Sequence, residues 1–176
     1  MNPWWQQVGN TIVAEFSDLT DPTQVTRAVL RLLVAALLGG LLGWEREHQG
    51  KAAGVRTHML VAMGAALFVL VSQQAGMAAD DLSRVIQGIT AGVGFLCAGT
   101  ILKGDRLDDV KGLTTAAGLW LTAAVGVAAG MGRESTAVLG TVLALGVLAV
   151  VPLVVRSGEK PAPLLAADEP PSPKRR

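Results

Sequence analysis

Two histidines, one cysteine and fourteen carboxylates are the side chains with which this chain of 176 residues could do chemistry. His48 and His58 do not have the spacing of a zinc motif. A single cysteine, Cys97, excludes an internal disulfide and any multi-cysteine metal site. Magnesium favours carboxylates and water in octahedral array, yet Glu45, Glu47, Asp80, Asp81, Asp105, Asp108 and Asp109 all fall at the ends of apolar runs. There is no G-x-S-x-G, no H-E-x-x-H and no Walker loop. The chain therefore reads as non-enzymatic, with no catalytic set, no metal ligands and no cofactor. Ion-coupled transporters commonly place an ionisable group near mid-membrane. No carboxylate lies in the middle of an apolar run, but a passive path lined by Gln87, Thr90 and Thr100, with backbone carbonyls, is left open.

Two polar segments stand out. The first is Glu45 to Thr57, with Glu45, Arg46, Lys51 and Arg56. Glu45 and Arg56 sit at the two mouths of a helical hairpin, so they could pair across it, for about 0–1 kcal/mol if exposed. The segment reads either as a docking surface for a partner or as a solvated loop. The second runs from Gly94 through Gly99 and Thr100 to Lys111, Gly112, Thr114 and Thr115. Thr114 and Thr115 can cap a helix start or bond to carbonyls one turn back. Free amides there could hold an anion; the alternative is a tight glycine-bounded turn with its caps satisfied.

The elements that must position these segments are membrane helices. Half of the chain is hydrophobic (51%) and only 16% is charged, against about a quarter in soluble domains. A spanning helix needs about 20 mostly apolar residues, and five runs qualify: Val25–Trp44, Thr57–Ala79, Val85–Leu102, Gly112–Gly132 and Ser135–Val155. The fold class is an all-α integral membrane bundle of five helices over residues 25–155. The second run is longer than needed, so its helix tilts or ends near Gln73 and Gln74. The first must carry Arg27 and Arg31 in its outer turns, because an arginine at the bilayer centre costs about 3 kcal/mol. Asp21-Pro22 supplies its start, aspartate as cap and proline as first helical residue. No Lys or Arg precedes this run, so it reads as a retained anchor and not a signal peptide.

Basic residues fix the orientation. Arg46, Lys51 and Arg56, then Lys103, Arg106 and Lys111, then Arg156, Lys160, Lys174, Arg175 and Arg176 fall on one side; Arg27, Arg31, Arg84 and Arg133 fall on the other. This places the N-terminus outside and the C-terminus in the cytoplasm. Residues 1–24 read as an N-terminal interfacial segment, with Trp5, Val8, Ile12 and Phe16 at helical spacing, or as a frayed tail. Residues 156–176 read as a disordered Pro-rich tail. A net charge of +1 offers no field for nucleic acid. G-x-x-x-G spacings at Gly39–Gly43, Gly88–Gly92 and Gly126–Gly130 let helices approach closely, within one bundle or between copies of a homo-oligomer. Gly94 and Gly99 are expected to lie on such a face and to tolerate bulk poorly.

Four stretches in order carry a resemblance: Leu41 to Glu47, Gly50 to His58, Gly92 to Ile101 and Lys111 to Trp120. From about Arg27 to Val150 the chain closely resembles the MgtC/SapB family of bacterial inner-membrane proteins. The resemblance implies five helices, a multi-pass place in the inner membrane and a role in growth at low magnesium. It implies action by contact with other inner-membrane proteins, the ATP synthase among them, with the lipid bilayer as surroundings. It draws attention to Glu45, Arg46, Arg56, Thr57, Arg84, Gly94, Gly99, Thr100, Lys111, Gly112, Thr114, Thr115 and Trp120. Position 97 is Cys where the family usually has Gly, so that face is expected to pack less closely. Long members carry a folded C-terminal domain where this chain has its Pro-rich tail, and regulation through that domain is not carried over. A magnesium or small-solute transporter is the alternative reading.

The orientation is testable. Reporter fusions at Pro3 and at Pro171 are expected to report opposite sides of the membrane; the same side from both would remove one spanning helix from the scheme.

Overall fold

The computed structural model describes residues 3–15, 17, 21–103 and 110–158. Six helices lie among the described residues: α1 (Trp4–Glu15), α2 (Pro22–His48), α3 (Val55–Gln74), α4 (Ala79–Thr100), α5 (Leu113–Gly130) and α6 (Glu134–Gly158). Helices α2 to α6 are each long and apolar enough to cross a membrane. A two-residue antiparallel ladder follows α4 and precedes α5: β1 (Leu102–Lys103) and β2 (Val110–Lys111) pair Leu102 with Lys111 and Lys103 with Val110. The expected tail beyond Gly158, Phe16, and Gly104 to Asp109 lie outside the described residues.

Helix boundaries follow from caps more than from hydropathy. The Asp21 carboxylate accepts the Thr23 amide at 2.9 Å, with Pro22 as first helical residue. Helix α2 then runs past Trp44 to His48. It ends in a Schellman turn: Gly50 takes φ +65°, its amide donates to the Glu47 carbonyl, and the Lys51 amide donates to that of Arg46. The same device ends α3 at Gln74, with Gly76 at φ +69° and the Met77 amide donating to the Ser72 carbonyl at 3.2 Å. The apolar run expected to continue to Ala79 is thus cut short, and Ala79 instead opens α4. Helix α4 begins six residues before the expected Val85 and takes Asp80, Asp81 and Arg84 into its first turns. A third such turn, with Gly132 at φ +75°, ends α5.

Residues 1–145 and 146–176 form two units by their contacts; the second takes up α6 from Gly146 onward. In the first unit α3 packs against α2, α5 and α4, and α5 also packs against α2 and α4. One core cluster joins Ala35, Leu38 and Leu42 of α2, Ala62 and Ala66 of α3, Val125 and Ala129 of α5, and Ala137 and Ala144 of α6. A second joins Ala65 and Val69 to Ile89, Val93 and Ala123. None of the residues of α1 is buried.

Small residues set the helix separations. A methyl group added at Gly39 would meet the His58 carbonyl oxygen at 2.7 Å and the Ala62 methyl at 2.9 Å; one at Gly43 would meet the Val55 α-carbon at 2.7 Å. On the other side of α3, one at Gly130 would meet the Ala66 carbonyl oxygen at 2.6 Å, and one at Gly126 would fall onto the Ala62 carbonyl. Two of the three G-x-x-x-G pairs are therefore packing notches. The third, Gly88–Gly92, is open, and so are Gly94 and Gly99: an added methyl group at any of these meets nothing within 4 Å. The expectation that Gly94 and Gly99 pack tightly is corrected here. Helix α4 buries only Ile89 and Val93, and the two glycines lie off that seam.

Accordingly, Gly126→Leu is expected to lower folded yield and melting temperature, through overpacking of at least about 1–3 kcal/mol. Gly94→Leu is expected to leave both near wild type. Equal losses from the two substitutions, measured by detergent-solubilised thermal melts, would contradict the assigned packing.

Candidate functional site

The C-terminal end of α2 and the N-terminal ends of α3 and α5 meet around His58. His58 is fully buried. Its Nδ1 lies 3.0 Å from the Gly54 carbonyl oxygen, which can only accept, so Nδ1 carries a proton. An added methyl group on Gly118 of α5 would sit 3.6 Å from Nε2 and 4.0 Å from the Arg46 δ-carbon. These are ordinary contact distances, so Gly118 lies directly against both side chains. Arg46 is 4% exposed, and its Nε donates to Glu45 Oε2. Glu45 Oε1 and His58 Nε2 are both buried without a hydrogen-bond partner among the described residues.

Among the described residues Glu45 does not pair with Arg56, the partner the sequence offered it. Successive helical residues face different ways, and Glu45 turns to its neighbour Arg46, both shielded between α2 and its neighbours. Arg56 and Thr57 are exposed and line the end of a cavity between α3 and α4. Glu47 also holds the hairpin in shape. Its Oε2 accepts the Val55 amide at 2.9 Å, capping α3, whose own cap residue Gly54 has no side chain to offer. A carboxylate there also suits the positive end of the helix dipole.

The second polar segment closes the same end of the bundle between α4 and α5. Gly112 is the cap of α5, at φ +92°, and an added methyl group there would fall onto the Thr100 carbonyl oxygen. No side chain caps α5, so the expectation that Thr114 or Thr115 does so is corrected: Thr114 is exposed, and Thr115 is buried beneath the first turn. As in any helix, the carbonyl of the cap residue, here Gly112, accepts the first intrahelical bond, from the Ala116 amide at 2.8 Å. Thr100 donates its hydroxyl to the Cys97 carbonyl at 2.8 Å. The Cys97 thiol reaches the Ala116 carbonyl at 3.1 Å, so at this position the sulfur bridges α4 to α5. Lys111 lies exposed in β2. Trp120, half exposed, lines a cavity of about 140 Å³ with Thr90, Ile86 and Ala123 between α4 and α5.

Arg84 belongs to the other end of the bundle, where it is exposed and paired with Asp81 at 3.6 Å. At that end the sequence pointed to Arg31 only as a residue needing an interface. The structure gives it partners on two other helices: its Nη1 donates to Gln73 Oε1 at 2.7 Å and to the Gly130 carbonyl at 2.8 Å. The guanidinium thereby satisfies a carbonyl at the end of α5 that has no partner within its own helix. His58 is the residue that sequence reasoning missed. The signal was its place three residues into a helix beside glycines that leave room for a ring.

The model of the MgtC family matches residues 32–157. That span begins beside Arg31 and takes in the notch glycines, His58 and both polar loops. Over 129 residues the chain is 43% identical to the putative magnesium transporter YhiD of Escherichia coli K12, covering 69% of this chain and 59% of that protein. It is 47% identical over 126 residues to protein SrpB of Synechococcus elongatus, covering 65% and 69%. It is 43% identical over 117 residues to protein MgtC of Salmonella typhimurium, covering 66% and 49%. The chain thus spans about half to two thirds of the length of these relatives. No solved structure matches. With five apolar helices in the matched arrangement, the chain is a multi-pass bacterial membrane protein and belongs to the MgtC family.

Proposed function

We propose that this protein is a non-enzymatic regulator of the bacterial inner membrane, serving adaptation to low magnesium through contacts with other membrane proteins. One observation carries the preference for contact over transport. Of the polar groups that a solute path would use, Gln87 is exposed on α4; Thr90, which lines the small cavity beside Trp120, donates its hydroxyl back to the Ile86 carbonyl of its own helix at 2.9 Å, and Thr100 donates to the Cys97 carbonyl at 2.8 Å. The interface that α2 and α5 form on α3 is filled instead by Ala35, Ala62, Ala66 and Ala129, all with no exposed surface. The buried hydroxyls of Ser72, Thr122 and Thr141 donate to carbonyls of their own helices, so they are taken up within the helices and not offered to a hydrated cation.

Charge is concentrated at the α2–α3 turn, where Lys51 is exposed, and in the segment around Lys111. This end faces the cytoplasm under the positive-inside reading. The magnesium link rests on family membership and on the name of the relative YhiD. The partner is an inner-membrane protein, with the ATP synthase suggested by the family resemblance. The alternative, a magnesium or small-solute transporter, is favoured by the relative's name alone.

The two readings separate in one pair of measurements. Purified protein in liposomes is expected to give no magnesium flux above empty vesicles. Lys51→Glu, a surface change costing within about 0.5 kcal/mol of stability, is expected to weaken growth rescue in low magnesium at unchanged membrane levels. Gln87→Leu and Thr90→Val are expected to leave rescue intact. Flux that these two substitutions abolish, with rescue indifferent to Lys51→Glu, would establish transport instead.

A further inference from the structure

Between α3 and α4 lies an apolar groove of about 730 Å³. Its walls include Leu60, Val61 and Phe68 of α3 and Val85, Ile89 and Leu96 of α4, and its two polar residues, Arg56 and Thr57, are adjacent at one end. The groove exists because side chains are missing: Gly64, Gly88 and Gly92 line it, and a methyl group added at any of the three meets nothing within 4 Å. We infer that this groove seats one acyl chain of an anionic phospholipid, whose phosphate is held by Arg56.

Length, volume and charge favour a lipid over a protein helix. From Arg56 to Phe68 the groove follows α3 for about 18 Å at the α-helical rise. One leaflet of the hydrocarbon core is about 15 Å deep. The groove therefore runs from the end of the span to about the mid-plane, as a tail anchored at one interface does. A partner helix crossing the whole membrane, about 30 Å long and 10 Å across, would fill several times the 730 Å³ present. The volume and lining are those of a small-molecule site, mostly apolar with a few polar groups at one end to fix orientation.

Charge points to the head group. Arg56 is exposed and makes no hydrogen bond or ion pair with the described residues. The nearest carboxylates in sequence are otherwise engaged, Glu47 on the Val55 amide and Glu45 on Arg46. A guanidinium at the membrane interface beside an apolar groove matches a phosphate in geometry and sign, and basic pockets between membrane helices bind anionic head groups. Thr57, at the same end, adds a hydroxyl. Tail burial alone would give little preference, because the bilayer is as apolar as the groove; selectivity rests on Arg56. This inference is independent of whether the protein regulates or transports.

Native mass spectrometry of the full chain, titrated with phosphatidylglycerol or phosphatidylcholine, tests it. Wild type is expected to retain phosphatidylglycerol preferentially, one lipid per chain. Arg56→Gln is expected to reduce that preference about fivefold, the share of one basic residue at an anionic surface, and Arg56→Lys to keep most of it. Gly88→Leu and Gly92→Leu fill the groove where space is open, so they are expected to fold normally and to lose both lipids alike. Arg133→Gln, an exposed arginine at the opposite end of the bundle, is expected to change nothing. Equal retention of the two lipids by wild type would overturn the inference. So would an effect of Arg133→Gln equal to that of Arg56→Gln, or leucine variants that retain lipid undiminished. A dimer in the same spectra that Gly92→Leu dissociates while lipid binding persists would assign the groove to a second copy of the chain.

Discussion

Helix α3 is gripped from both sides by glycines. Gly39 and Gly43 bring α2 onto its backbone from one side, and Gly126 and Gly130 bring α5 from the other. In lipid no hydrophobic force drives helices together, since the surrounding tails are as apolar as the side chains. Association then depends on dispersion between closely fitted surfaces, and that fit is possible only where side chains are absent or reduced to a methyl group. Ala35, Ala62, Ala66 and Ala129, all without exposed surface, continue the fitted seam. The positions of the polar groups at both ends of the bundle follow from this close approach of three helices.

At one end the approach leaves a chamber large enough for an imidazole and an arginine stem but closed to solvent. His58, Arg46 and Glu45 fill it, with Gly118 of α5 against the first two. At the other end Arg31 links three helices through Gln73 and the Gly130 carbonyl. A hydrogen bond to a charged group contributes about 1.5–3 kcal/mol, so these clasps add specificity to a seam that small residues alone leave weakly registered. Helix α4 stands outside this arrangement. It buries two residues, keeps its glycines open, and meets α5 through Ile89, Val93 and Ala123 as well as the Cys97 thiol. The apolar groove lies between α3 and this sparsely buried helix.

Much of the fold was legible. Five apolar runs, the Asp21-Pro22 start and the family motifs led to the observed helices, because membrane burial and capping are local properties of sequence. Helix ends were less legible where hydropathy continued past a Schellman glycine, as at Gly76. Which glycine pairs pack was not legible at all. Gly88–Gly92 and Gly126–Gly130 have the same spacing, but only the second faces a neighbour's backbone; spacing describes one helix, while contact depends on two. The charged hairpin misled for a related reason. Glu45 and Arg56 are close in topology, but helix rotation turns Glu45 inward to Arg46 and Arg56 outward to the groove. His58 escaped notice because its burial is completed by helices distant in sequence, α2 at Gly39 and Gly43 and α5 at Gly118.

The bonds of Arg31 carry a consequence for the order of biogenesis. Its side-chain acceptor, Gln73, is synthesised 42 residues after it, and its carbonyl acceptor, Gly130, 99 residues after it. When α2 first leaves the ribosome, neither exists. The guanidinium must then stay hydrated at the membrane surface, where a long basic side chain can reach water. Arg31 exchanges that water for its final partners only after α5 is complete. The first spanning helix is thus the earliest made and among the last to be fully seated, and translation of three further helices separates its insertion from its docking.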